Sequence, residues 1–217
     1  LAKRTQFFVK YSVDELVQNA VFNLTNYDVK GIPVLESVAF YSNGNFYACL
    51  HGVYPEEKFE FLKDFDEQTI KKNILMSLLT CKLTNSNNNY DNPLNLDSAE
   101  IVYNSISRDL VIFTIPNIYI PYSLVIQSST PDRRRTFSVE SVTPELNHLS
   151  RPCKLGHKKL IGGLEGYPLD IKVTLGESGS PVLIKETNYV VGYITYGLKD
   201  GQEEKSFQNG MYDFVNL

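Results

Sequence analysis

One serine in this chain stands where a hydroxyl could act as more than a hydrogen-bonding group. Ser178 lies in the run Gly176-Glu177-Ser178-Gly179-Ser180-Pro181-Val182, where two of the 13 glycines flank the stretch that holds it. Such a run is either a tight turn, with Gly and Pro as punctuation, or a backbone held open around a nucleophile. A serine hydroxyl attacks at neutral pH only when a base takes its proton, and that base usually needs a carboxylate to orient it. The sequence contains three histidines, His51, His148 and His157. His51 ends the strand-like run Asn45 to Leu50, so its side chain is expected to emerge from a rigid strand end. Asp109 stands directly before the apolar run Leu110 to Phe113, and a carboxylate at the mouth of a buried strand needs a partner. An imidazole that becomes charged during a reaction is such a partner. The order is then His51, Asp109, Ser178, with Asp97 and Asp91 open as alternatives for the carboxylate. His148 and His157 read as surface or structural residues, although His157 falls in a segment that could rim a cleft.

Two other serine-hydrolase plans fail on residue order. An α/β-hydrolase elbow needs Gly where Ser180 stands, and a histidine after the nucleophile, but none follows His157. A subtilisin arrangement needs Asp before His before Ser and a helix after the serine, which Pro181 and the β-rich run behind it oppose.

The elements that must position these groups read mainly as strands. Pro33 to Ser42 and Asn45 to His51 flank Asn43-Gly44, a dipeptide suited to a two-residue hairpin turn. Further β-rich runs recur at spacings of about 8 to 12 residues, which suggests barrels or sandwiches. Two helices are predicted. Ser12 to Glu15 has the spacing of a capping box ahead of Val13, Leu16, Val17, Ala20, Val21 and Leu24, and a second helix runs from about 66 to 80 with Asp66 as its cap. The polar run Thr84 to Pro93 is expected to be an exposed loop, and Ser128 to Arg135 a linker.

With 217 residues the chain can bury one large core or two small ones, and its net charge of -4 gives no reason to expect a nucleic-acid scaffold. Arg133, Arg134 and Arg135 form the one dense basic run, read as a solvated loop with a nucleic-acid contact as the lesser alternative. No apolar run approaches the roughly 18 residues of a membrane span, and residues 1 to 4 carry no secretory signal. Three cysteines without CxxC or Cys/His pairing suggest neither a disulfide framework nor a metal, so a reducing compartment and no cofactor are expected.

The Ser178 run resembles the GDSGGP signature of chymotrypsin-like serine endopeptidases, especially the compact viral and HtrA-type members. Asp109 to Phe113 is similar to the family's segment of Asp followed by an apolar strand, and Leu50-His51-Gly52-Val53 is loosely similar to its histidine motif. Gly192 to Gly197 resembles the strand that lines the specificity pocket. The resemblance, over about residues 33 to 217, implies an all-β fold of two antiparallel six-stranded barrels with an N-terminal helix outside it. The expected organisation is a helical extension (1–30), a first barrel carrying His51 and Asp109 (31–127), a linker (128–135) and a second barrel carrying Ser178 (136–217). It further implies an oxyanion hole from the Gly176 and Ser178 amides, and a Thr195 hydroxyl that supports Asp109. Ile194, Thr195, Tyr196 and Gly197 would line the substrate, and Lys172 would lie at the pocket floor and invite an acidic side chain.

The departures from the family are informative. The chain starts Leu1-Ala2-Lys3-Arg4, Glu177 replaces the Asp that trypsin-type enzymes pair with a new amino terminus, and the cysteines that bracket the histidine in secreted relatives are absent. Trypsin-style zymogen activation is therefore not expected. An enzyme encoded by a virus and acting in host cytoplasm on polypeptides, its own polyprotein included, is. Ile194 stands where picornavirus-type proteases place a histidine that grips Gln or Glu, so that preference is not expected. The alternative from another class is a protease-fold binding module without turnover.

Overall fold

The computed structural model describes residues 10–87, 93–161, 164–197 and 206–210. The strands of the described residues form two sheets. The first holds β1 (Val21–Tyr27), β2 (Pro33–Ser42), β3 (Asn45–Cys49), β4 (Cys81–Thr84), β5 (Leu94–Asn95), β6 (Glu100–Ser105) and β7 (Leu110–Thr114), in the order β5-β4-β1-β2-β3-β7-β6. The second holds β8 (Val125–Ile126), β9 (Phe137–Val142), β10 (His148–Cys153), β11 (Lys159–Ile161), β12 (Leu164–Pro168), β13 (Pro181–Ile184), β14 (Tyr189–Gly197) and β15 (Ser206–Gly210). Its order is β10-β9-β13-β14-β15-β12-β11, with β8 added parallel to β14. Among the described residues the sheets thus have seven and eight strands instead of six each, and one pairing is parallel.

Local chemistry accounts for several elements directly. Asn43 and Gly44 both have positive φ, 46° and 89°, the twist that a two-residue turn between β2 and β3 requires. Helices α1 (Val13–Ala20), α2 (Leu50–Val53), α3 (Phe59–Leu62) and α4 (Glu67–Leu78), with a 3-10 turn at Glu56–Lys58, complete the regular structure of the described residues. Ser12 Oγ accepts from Glu15 N and Asp66 Oδ1 from Thr69 N, so each longer helix starts at its predicted cap.

The N-terminal region is not the helical extension expected. The helix stops at Ala20, and Val21–Tyr27 becomes a strand between β2 and β4. Residues 21 to 26 are all buried, so this strand is covered on both faces and lacks the alternation that would mark it in sequence. The second lobe likewise starts before residue 128, because β8 joins the second sheet. Residues 128–135 carry no regular element, and residues 211–217, the end of the expected second barrel, lie outside the described residues.

Three apolar clusters hold the molecule. One fills the first lobe around Phe22, Phe46 and Phe113, whose rings lie 5.6 and 5.4 Å apart in the Phe22–Phe46 and Phe46–Phe113 pairs. Another fills the second lobe around Phe137, Val182 and Ile194. The third joins the lobes, packing Val38, Phe40, Cys49 and Leu110 against Val142, Leu183, Val190 and Tyr193. Burial of each large side chain in this shared cluster contributes about 1.5–3 kcal/mol, so the lobes meet through a core and not a hinge.

Candidate active site

His51 lies in the single helical turn α2, just past the end of β3. Asp109 precedes β7 in the turn from β6, with a left-handed φ of 51° that a short polar side chain tolerates. β3 and β7 are paired, Cys49 opposite Leu110, which sets the two residues side by side. The Asp109 carbonyl accepts from Leu50 N at 3.2 Å, and its Oδ1 accepts from His51 N at 2.9 Å. Oδ2 then lies 2.5 Å from His51 Nδ1 and accepts from Thr195 Oγ1 at 2.9 Å. A carboxylate only accepts, so Nδ1 carries the ring proton and Nε2 presents its lone pair. Ser178 Oγ lies 2.8 Å from that Nε2, placed to donate its proton.

The charge state of His51 follows from the same contacts. Burial, the largest single influence, pushes its pKa down. The Asp109 hydrogen bond and charge, with Glu56 further off, outweigh burial and leave it raised above 6.5.

The Ser178 loop is shaped by backbone conformation and by one ion pair made by a buried carboxylate. Gly176 and Gly179 have φ of 95° and 88°. A side chain on Gly179 would run into the Val38 carbonyl, so glycine is required there twice over. The Ser178 carbonyl accepts from Val38 N at 2.8 Å, and Gly179 N donates to the Ile194 carbonyl at 2.7 Å, which pins the loop to both lobes. Glu177 points inward and is 7% exposed. Its Oε1 accepts from Arg151 and from Ser141 Oγ at 3.1 Å, and its Oε2 accepts from Thr174 N at 2.7 Å and Thr174 Oγ1 at 3.1 Å. Arg151 also donates to the Lys172 carbonyl at 2.7 Å. No motif marks Arg151, but a buried Glu177 demands a cation, and that demand is the signal that could have pointed to it. Among the described residues the Gly176 and Ser178 amides donate no hydrogen bond within the protein.

The remaining candidates divide into those near the loop and those apart from it. Thr195 is buried against Asp109, as described above. Ile194 meets the loop only through its backbone. Its side chain, expected along the substrate, is 3% exposed and packs in the second-lobe core. Tyr196 and Gly197 end β14, opposite Phe207 and Ser206 of β15, and the Tyr196 side chain lies outside what is described. Lys172 is exposed, and its carbonyl anchors Arg151. His148 pairs with Glu140 at 2.7 Å on β9, while His157 and Asp97 are exposed. Asp91 lies outside the described residues. Asp132 binds Arg134 in an exposed turn, and Arg135 is exposed beside it.

Cys49, His51 and Asp109 bring possible metal-ligand atoms within 4.8 Å of one another. Their chemistry is that of a hydrogen-bonded chain. Burial pushes the Cys49 thiol well above its ordinary range and the Asp109 charge adds to it, while Sγ lies 3.0 Å from the Ile194 carbonyl. A ligating cysteine would have to be a thiolate.

No family model and no curated protein matches the sequence. Solved structures do match. The active form of the Rv3671c protease from M. tuberculosis covers 100% of this chain and 90% of its own, with a TM-score of 0.65 at 15% identity. The tobacco vein mottling virus protease covers 100% and 88%, with 0.60 at 10% identity. The HtrA-type protease AlgW, solved with a tripeptide, covers 92% of this chain and 58% of its own, with 0.65 at 10% identity. Agreement over nearly the whole chain, on strands that share so little sequence, establishes the fold as that of the chymotrypsin-like serine proteases.

Proposed function

We propose that the protein is a serine endopeptidase that cleaves polypeptides through an acyl-enzyme. Ser178 Oγ attacks the scissile carbonyl carbon while His51 Nε2 takes its proton, and Asp109 holds the imidazole in the tautomer that permits this. The carbonyl oxygen becomes an oxyanion facing the Gly176 and Ser178 amides, each such donor contributing about 3–4 kcal/mol to the transition state. His51 then gives the proton to the leaving amine, the peptide bond breaks, and water reverses the sequence on the ester. What supports this is one line of contacts, Asp109 to His51 to Ser178, ending beside two amides with no acceptor among the described residues.

The extended substrate lies along Thr195 to Gly197. Among the described residues β15 takes one edge of β14 there, and no strand pairs with the other. The finer reading is a virus-encoded enzyme that processes a polyprotein in host cytoplasm. Support for it comes from three buried, unpaired cysteines and from the fold match to a viral protease.

A fluorophosphonate probe tests the chemistry. Labelling at Ser178 that vanishes in Ser178→Ala and in His51→Ala is the expected result. A folded protein that stays unlabelled would instead be a binding module on a protease fold.

A further inference from the structure

The Ser178 loop meets β14 at Gly179. At its other end, past Gly176, a cavity of about 290 Å3 opens between the lobes. Val142, Pro144, Leu149 and Leu175 give it apolar walls, broken by the hydroxyls of Ser141, Thr143 and Thr174, and Leu175 is 99% exposed. Two carboxylates line it, Glu177 and Glu36 on β2. Glu36 Oε2 is shielded from solvent and has no hydrogen-bond partner among the described residues. Burial raises the Glu36 pKa, and the charge of Glu145 adds to this. The other carboxylate of the cavity, Glu177, is already neutralised by Arg151.

A slot with partly apolar walls and a carboxylate that no cation among the described residues balances selects for shape and charge together. It suits an aliphatic stem ending in a cation, because the methylenes cover the apolar wall while the head meets the Glu36 charge, which no cation among the described residues balances. The volume is at the small end for ligand pockets, of the size of one long side chain. If Thr195 to Gly197 carry the acyl side of the substrate, the chain crosses Ser178 and leaves past Gly176 and Glu36.

We propose that this cavity is a subsite for a lysine or arginine on the leaving-group side of the scissile bond, with Glu36 as the specificity-determining residue. The assignment rests on the endopeptidase reading. It is tested on the full chain with quenched peptides of fixed acyl side, in which each of the first three leaving-side residues is in turn lysine, arginine, norleucine or glutamate. At one position lysine or arginine should raise kcat/KM about tenfold over norleucine, a ratio equivalent to 1.4 kcal/mol. Glu36→Gln should bring the lysine peptide down to the level of norleucine, and Glu36→Lys should shift the preference to glutamate. Absence of a basic preference, or its survival in both variants, overturns the subsite while phosphonate labelling of Ser178 stands. A wild-type protein that takes no phosphonate overturns the endopeptidase reading and the subsite with it.

Discussion

On the first-lobe side of the cleft, His51 and Asp109 are held largely by backbone. The β3–β7 ladder sets them in register, and Asp109 is tied to Leu50 and His51 by main-chain amides. On the second-lobe side, Ser178 sits in a loop of positive-φ glycines whose main brace is a side-chain network around Glu177. A ladder is shared among many bonds, so no single side chain decides it. The loop depends on a few groups, one of them a buried charge whose partner comes from another strand. His51 and Asp109 should therefore tolerate substitution around them, and Ser178 and the amides beside it should not.

The largest effects bear on the reacting atoms and would show the two sides acting as one unit. Ser178→Ala and His51→Ala should each lower kcat about 10⁶-fold, and the double variant should lose no more than either alone. Asp109→Asn keeps the shape of the ladder but presents an amide to Nδ1, favouring the wrong tautomer. It should lower kcat on the order of 10⁴-fold in steady-state assays, with unfolding in urea little changed.

Arg151→Met bears on the contrast itself. Leaving Glu177 buried without its cation should cost roughly 3 kcal/mol in urea unfolding. If the Gly176 amide then turns away, kcat should fall about 10²- to 10³-fold with KM little altered, and Arg151→Lys should restore part of it. Because Arg151 does not touch His51, the midpoint of the pH profile should stay where it is. A variant that shifts the midpoint instead would show that the two sides are coupled.

The smallest effect is the pH dependence. The base must be neutral to accept the Ser178 proton, and a raised pKa keeps it protonated to higher pH. The acid limb of kcat/KM should therefore have its midpoint above 6.5 and fall about tenfold per pH unit below it. A midpoint below 6.5 would mean that burial outweighs Asp109.

Features set by neighbouring residues were legible in the amino-acid order alone. The Asn43-Gly44 turn and the caps at Ser12 and Asp66 follow from local backbone preferences, which act within a few residues. Tertiary structure decided what depends on distant partners. Val21–Tyr27 continues a helical apolar pattern yet forms a strand, because β2 and β4 are there to pair with it and both its faces are covered. Ile194 turns into the second-lobe core although Thr195 beside it reaches Asp109. Arg151 meets Glu177 across 26 residues, a pairing that no spacing rule encodes, since the energy of a buried charge depends on what the fold brings beside it.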